Sequence, residues 1–347
     1  MFSPFVSTAT ASKSDDSLTA WQRVRHLLAM LSPIGWASAL LLLSITLFLT
    51  LNAHGNWDFV LPFRGTKLAA LLIVGYAIGV STLLFQSLTQ NPILTPSLLG
   101  FDALYVLLQS VLVFVLGAVN YSGMDILGKF ALETLLMFGA SLLLFKLLFS
   151  KQQQDLTRLI LVGVIFGVLF RSLSALVARL IDPMDFVVVQ SASYAQFTTV
   201  DSKLLIISGV ICALTAVLIW RWRYKCDVLM LGKHQAINLG IDYQRFAFGI
   251  LSIIAVLVAV STALVGPVTF FGLLVCALTN RMARHMHHSE RLILVSLLAM
   301  VCLVLGQTIF EQVLGMAGVL SVVIELVGGV VFLLLIFMRY RSASGAR

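Results

Sequence analysis

The chain has 347 residues, 60% hydrophobic and 11% charged, with 23 Lys and Arg against 15 Asp and Glu for a net charge of +8. Soluble domains run to roughly 45–50% apolar and about 25% charged residues, and a chain of this size cannot bury nearly every segment on all sides, so a soluble fold is excluded. The positive charge forms no single tract or face; it lies between apolar runs, which excludes a nucleic-acid surface and fits a membrane protein instead.

Residues 1–20 are polar and Ser/Thr-rich and read as disordered. Trp21, Arg23, Arg25 and His26 then anchor the first apolar run at the interface. That run is long and is followed by no small-residue cleavage site, so it reads as an uncleaved span rather than a signal peptide. Ten spans are predicted, at 33–52, 68–88, 97–119, 127–149, 157–178, 204–222, 246–265, 267–283, 291–313 and 318–338. The fold class is therefore all-α polytopic membrane protein: a polar inner segment 1–26, one ten-helix transmembrane domain 27–340 and a tail 341–347. With the N-terminus inside, most Lys and Arg collect on inner segments, while the outer ones hold only Arg64, Lys67, Lys129, Arg179 and Lys203. Both termini are expected to face the cytoplasm.

The second span carries small residues at Gly75, Ala77, Gly79 and Ser81, which permit close helix approach. It ends at Gln86, and Thr89–Pro96 follows, with two prolines four apart (Pro92 and Pro96) that force the chain out of helix. This turn is polar yet uncharged, and non-helical backbone of that kind is tolerated where it lines an aqueous path. The outer stretch 182–203 is the longest outside; it reads as a short helix with Gln190, Tyr194 and Gln196 as mouth contacts, or as a plain surface loop. Trp220–Arg245 is the longest polar break of the second half. Within it, helix formers between Gly232 and Gly240 predict a short helix, which either docks a soluble partner or belongs to a loop that only sets topology. Gly266–Leu274 then joins spans seven and eight with almost no polar spacer. The two Gly/Pro-interrupted regions lie five spans apart, so corresponding spans run in opposite directions, the arithmetic of an inverted repeat.

Other motifs carry less. Gly123–Lys129 has the spacing of a phosphate loop but lacks the magnesium-binding Ser/Thr and the preceding strand. His285, His287 and His288 have no carboxylate or Cys partner at ligand spacing, and no metal site is expected. The four cysteines fit no framework. Glu133 and Arg171, toward the outer ends of adjacent spans, read equally as an ion pair or as path residues; Glu325 is left open between the path and a partner helix, and Glu311 is expected to be solvated. No nucleophile–base constellation appears, so no enzyme is expected.

Taken together, Arg64–Gly100, Leu231–Gly240 and Gly266–Leu274 resemble three motifs of the ABC-importer permeases for iron-siderophores and cobalamin. Arg64 and Lys67 take the two basic positions of R-x-P-R, and Gly75, Gln86, Asn91, Pro92, Pro96 and Gly100 fall at the family's spacing. The other two resemble L-G-x-x-x-A-x-x-L-G and G-P-x-x-F-x-G-L. The resemblance implies a bacterial inner-membrane permease that imports a ferric siderophore from a periplasmic binding protein. It pairs with a second permease, a heterodimeric sibling or a second copy, and with an ABC ATPase that holds the Mg-ATP; this chain has no cofactor. It also implies roles: ATPase coupling for Leu231, Gly232, Gln235, Ala236, Leu239 and Gly240; docking of the binding protein for Arg64 and Lys67; path and gate for Gln86, Asn91, Pro92, Gly266, Pro267 and Gly272. The departures are Cys276-Ala277 for the family's P-H, Gln307 for an acid, Glu311 for an Arg, and an eroded P-x-G-x-x-T across 319–324. The alternatives are a cobalamin or haem cargo, or an ion-gradient transporter coupled through Glu133 or Glu325.

Overall fold

The computed structural model describes residues 32–51, 57–148, 156–198, 200–283, 286–312, 320–330 and 333. The polar segment 1–26, the tail 341–347 and the P-x-G-x-x-T opening at 319 lie wholly or partly outside these residues. The regular elements are helices: α1 Pro33–Thr50, α2 Trp57–Thr89, a 3-10 turn Ser97–Leu99, α3 Phe101–Leu116, α4 Ala118–Ser122, α5 Ile126–Leu148, α6 Leu156–Ala178, α7 Pro183–Ala192, α8 Ser202–Leu229, α9 Lys233–Asn238, α10 Tyr243–Val265, α11 Phe271–Met282, α12 His288–Gln312 and α13 Leu320–Val330. Among the described residues there is no strand.

Seven of these helices (α1, α2, α5, α6, α8, α10 and α12) are long and apolar enough to cross a membrane, and α3, α11 and α13 are shorter apolar helices. Together they fall on the ten predicted spans. "Inner" and "outer" below name the two ends in the sense that the charge distribution predicts.

Two helices run past the predicted bounds. α2 has 33 residues, about 50 Å at 1.5 Å per residue, and starts at Trp57, so Arg64 and Lys67 stand on its wall instead of in a loop. α8 continues to Leu229 through what hydropathy marks as a polar break. The Arg223 guanidinium lies 4.4 Å from the Trp220 ring and 4.6 Å from the Tyr224 ring, while Cys226 and Leu229 are buried. Hydropathy finds where the apolar surface stops; the helix runs on to Leu229, and Gly232 at φ 99° then turns the chain into α9.

α3 and α11 are the converse. Their 16 and 12 residues reach about 24 and 18 Å, short of a bilayer core of about 30 Å, because each is preceded by non-helical chain. α10, α2 and α12 bury 72%, 67% and 56% of their membrane windows and form the centre; α1 and α6 bury 17% each and face outward from it.

α2 meets α12, α10, α8 and α11. Its small residues act as expected: a Cβ on Gly75 would stand 3.1 Å from the Met300 amide nitrogen, and one on Gly79 would stand 3.1 Å from Ala299 Cβ. Gly79→Leu is expected to push α2 from α12 and cost about 1–3 kcal/mol, read as a lower melting midpoint in detergent. Gly139→Ala on α5, where nothing lies within 4 Å of the added carbon, is expected to leave the midpoint unchanged or slightly raised.

Candidate functional site

The first break lies between α2 and α3. Gln90 takes a left-handed φ of 55° and its backbone ends α2. Pro92 and Pro96 offer no N–H, so side chains close the turn: Gln86 Nε2 donates to the Pro92 carbonyl at 2.8 Å, Asn91 Oδ1 accepts from the Ile93 amide at 3.0 Å, and Thr95 Oγ1 accepts from the Leu98 amide at 3.3 Å. Gly100, at φ 93°, turns the chain into α3 with its backbone against Gly167 of α6.

The second break, between α10 and α11, starts at Gly266 with φ 101° and ends at Phe270 with φ 58°. The Gln196 amide donates to the Val265 carbonyl at 2.7 Å, which ties the outer loop to this reversal. At Gly272 any side chain would collide with Thr82 of α2. The two breaks face each other: Ser97 and Asp102 share a small central cavity with Ser81, Thr82, Gly266 and Val268.

A larger cavity lies on each side of that centre. The inner one, about 180 Å³, is lined by Gln86, Asn91 and Pro92 together with Gln90, Asn280 and Arg291. The outer one, about 430 Å³, lies between α3, α6, α7 and the second break; Asp102, Arg171, Gln190, Tyr194, Pro267 and Thr269 line it. Gln190 stands on α7, which Asp182 starts by accepting from the Met184 amide at 3.0 Å. The predicted mouth residues thus divide. Gln190 and Tyr194 line the outer cavity, whereas Gln196 joins Tyr194 in a separate polar cavity of about 230 Å³.

In that polar cavity Glu133 accepts from the hydroxyls of Tyr121 and Tyr105, the Tyr121 hydroxyl also meets Gln109, and Lys129 Nζ lies 4.1 Å from the Tyr121 ring centre. Arg171 belongs to the neighbouring cavity, so the ion pair weighed between Glu133 and Arg171 does not form. Asp102 is the residue the sequence reading passed over. It is one acid in the first turn of an apolar helix, where it resembles an ordinary helix-start residue; only the fold of the two breaks places it between Ser97 and Thr269.

Of the outer basic pair, Lys67 needs correction. Lys67 Nζ lies 2.6 Å from Glu311 Oε1, with side-chain exposures of 2% and 7%, and Gln307 Nε2 donates to the same oxygen at 2.7 Å. Lys67 therefore presents no charge for docking, and Glu311 is not solvated. Arg64 Nη1 donates to the carbonyls of Phe48, Leu49 and Leu51 at 2.9, 3.2 and 2.6 Å, which closes the C-terminus of α1. The departures Gln307 and Glu311 are thereby explained: the acid at 311 answers the base on α2.

At the inner end, α9 sits between Gly232 (φ 99°) and Gly240 (φ 84°). The Ile241 amide donates to the Ala236 carbonyl at 3.0 Å and folds the chain back under it. Ala236 is fully buried, which corrects its place among contact residues: it seats α9 on the bundle. Gln235 is exposed beside Gly232, and the apolar side chains turned outward are Leu231, Ile237 and Leu239, at 57%, 48% and 61% exposure. Gln90 Nε2 donates at 2.8 Å to the Leu229 carbonyl, the last residue of α8 before α9.

The model of the FecCD transport family matches residues 23–338. The petrobactin import system permease protein YclO of Bacillus subtilis (strain 168) is 41% identical over 288 residues, 83% of this chain and 91% of that protein. FatC of Bacillus anthracis, also a petrobactin import system permease protein, is 32% identical over 283 residues, 81% of this chain and 79% of its own. The vitamin B12 import system permease protein BtuC of Klebsiella pneumoniae is 29% identical over 252 residues, covering 68% of this chain and 72% of that one. A solved chain of a metal-chelate type ABC transporter, in an inward-facing conformation, overlays with a TM-score of 0.76 at 20% identity, across 88% of this chain and 98% of its own; that likeness is one of fold.

Removing one member of a buried ion pair strands the other. Lys67→Ala is expected to destabilise the detergent-solubilised protein by about 3–5 kcal/mol, and the double change Lys67→Met with Glu311→Leu to restore most of the loss, both measured by chemical unfolding.

Proposed function

This chain belongs to the FecCD transport family, and we propose that it is the permease subunit of an ATP-driven importer that carries a ferric siderophore to the cytoplasm. ATP is hydrolysed by a separate subunit. The observation that carries the reading is α9 with its two flanks: a short inner knob with Leu231, Ile237 and Leu239 turned to solvent, on a chain whose sequence offers no complete nucleotide-binding loop. Apolar side chains grouped on so small an element are suited to a partner's cleft.

The knob has a link to the path. A push on α9 displaces the Leu229 carbonyl and, through it, Gln90, whose left-handed backbone opens the first break. The inner cavity and its gate residues Gln86, Asn91 and Pro92 lie directly behind. Closure of the ATPase would reach the path by this route, a rigid-body switch of access between its two ends. An extracytoplasmic binding protein delivers the chelate to the outer end. A second permease, in our reading a related sibling chain, completes the path, and the thinly covered α6 is a suitable face for it. The petrobactin-import relatives are more similar than the vitamin B12 ones, which favours a siderophore as cargo.

The test is reconstitution of the complex in vesicles. Uptake of the iron chelate is expected to need ATP and the ATPase subunit and to ignore ionophores. Gradient-driven uptake by the chain alone would overturn the reading in favour of an ion-coupled carrier using Glu133 or Glu325. Ile237→Asp or Leu239→Asp is expected to cut uptake about tenfold and to lose the co-purified ATPase, since each removes an anchor of about 1.5–3 kcal/mol. Gln90→Ala is expected to keep the ATPase bound yet raise the ATP hydrolysed per chelate about fivefold, the weight of one hydrogen bond of about 1 kcal/mol; Gln90→Lys, which keeps a donor, restores part of the coupling.

A further inference from the structure

We propose that Arg171 binds the negative charge of the chelate as it crosses the outer cavity, and that Asp102 is the positioning residue that holds the guanidinium there. The proposal rests on the import reading above and names the chemistry of its cargo inside the path.

Arg171 lies seven residues before the outer end of α6, about 10 Å inside it. A long cation at such a place ordinarily stretches toward the nearer surface. Arg171 does the reverse. Its Nη2 reaches within 3.6 Å of where a Cβ on Gly167 would stand, one turn deeper, beside the contact between Gly167 and Gly100. The acid that shares the cavity with it is Asp102, two residues beyond Gly100 and buried between Ser97 and Thr269. Asp102 Oδ2 is out of reach of solvent and has no hydrogen-bond partner. The guanidinium lies back over the preceding turn, the direction that helix geometry favours, on the same cavity wall as Asp102, and among the described residues it makes no ion pair within 4.0 Å. Its donors stay open to the cavity.

The cavity suits a small organic chelate. Its volume of about 430 Å³ falls within the range of about 300–1,000 Å³ usual for small-molecule sites, and Gln190, Ser193 and Tyr194 offer polar groups higher up. Iron(III) bound by catecholate or carboxylate oxygens is an anion, and a planar guanidinium pairs with two such oxygens at once, which an ammonium does not. Glycine at 100 and 167 keeps the floor thin enough for the side chain to fold down.

The experiment uses the purified permease–ATPase complex in detergent, without ATP, and equilibrium dialysis with two radio-iron probes. One is an anionic hexadentate catecholate complex and the other an uncharged hexadentate hydroxamate complex. Wild type is expected to hold the anionic probe about tenfold more tightly than the neutral one, and Arg171→Gln to remove that preference while leaving the neutral probe's affinity unchanged. Arg171→Lys keeps part of the preference. Asp102→Asn lowers it although it removes a negative charge, because the guanidinium is released toward the surface. A wild type without the preference, or an Arg171→Gln protein that retains it, would overturn the proposal. So would an Arg171→Gln complex that loses the preference only together with its second permease, since Arg171 would then act by pairing with the partner subunit. ATP-driven uptake is not part of this readout, so failure of the import reading would show separately in the vesicle experiment.

Discussion

Inside a bilayer a backbone N–H or C=O without a partner costs several kcal/mol, and this chain leaves the helix twice within its apolar windows. That constraint organises the molecule. The first break is closed locally by Gln86, Asn91 and Thr95, and the second is tied by the backbone amide of Gln196 reaching in from the outer loop. Each is then buried against the other and against α2. Two short helices, α3 and α11, result in place of two full crossings. The cavities follow from the same cause, because a half-helix leaves unfilled the length its missing half would have occupied.

Around this weak centre the charges are used to hold rather than to display. Arg64 closes α1, and Lys67 with Glu311 clamps α2 to α12, joining residues 244 apart in the chain. Burying such a pair is weak support for stability in itself, but it fixes register between two helices whose apolar faces could slide. The outer end therefore offers fewer surface cations than its sequence suggests. Arg171 and Asp102 are different: they face a cavity, and their charges are not cancelled by direct contact.

The inner end is built on a six-residue helix. α9 is anchored at its middle by buried Ala236 and bounded by two glycines with positive φ. Just before it, the last carbonyl of α8, Leu229, accepts from the side chain of Gln90, itself in a conformation that L-residues rarely adopt. Strain of that kind persists where the surrounding contacts impose it, and here those contacts belong to both the end of α8 and the first break.

Hydropathy and the Gly/Pro spacing act within a turn or two, so the sequence alone determined the ten apolar helices, the two breaks five spans apart and the existence of α9. It also marked Gly75 and Gly79 as close-packing positions. It could not determine where α8 ends, because Trp220–Leu229 is polar by composition and helical by stacking and burial. Nor could it tell that Lys67 meets Glu311, or that Asp102 and Arg171 line one cavity, since each pair comes together only after distant helices pack. The turn of α9 that hides Ala236 and presents Ile237 was likewise decided by tertiary structure, since a helix this short has no periodicity to read and takes its inward face from the bundle it rests on.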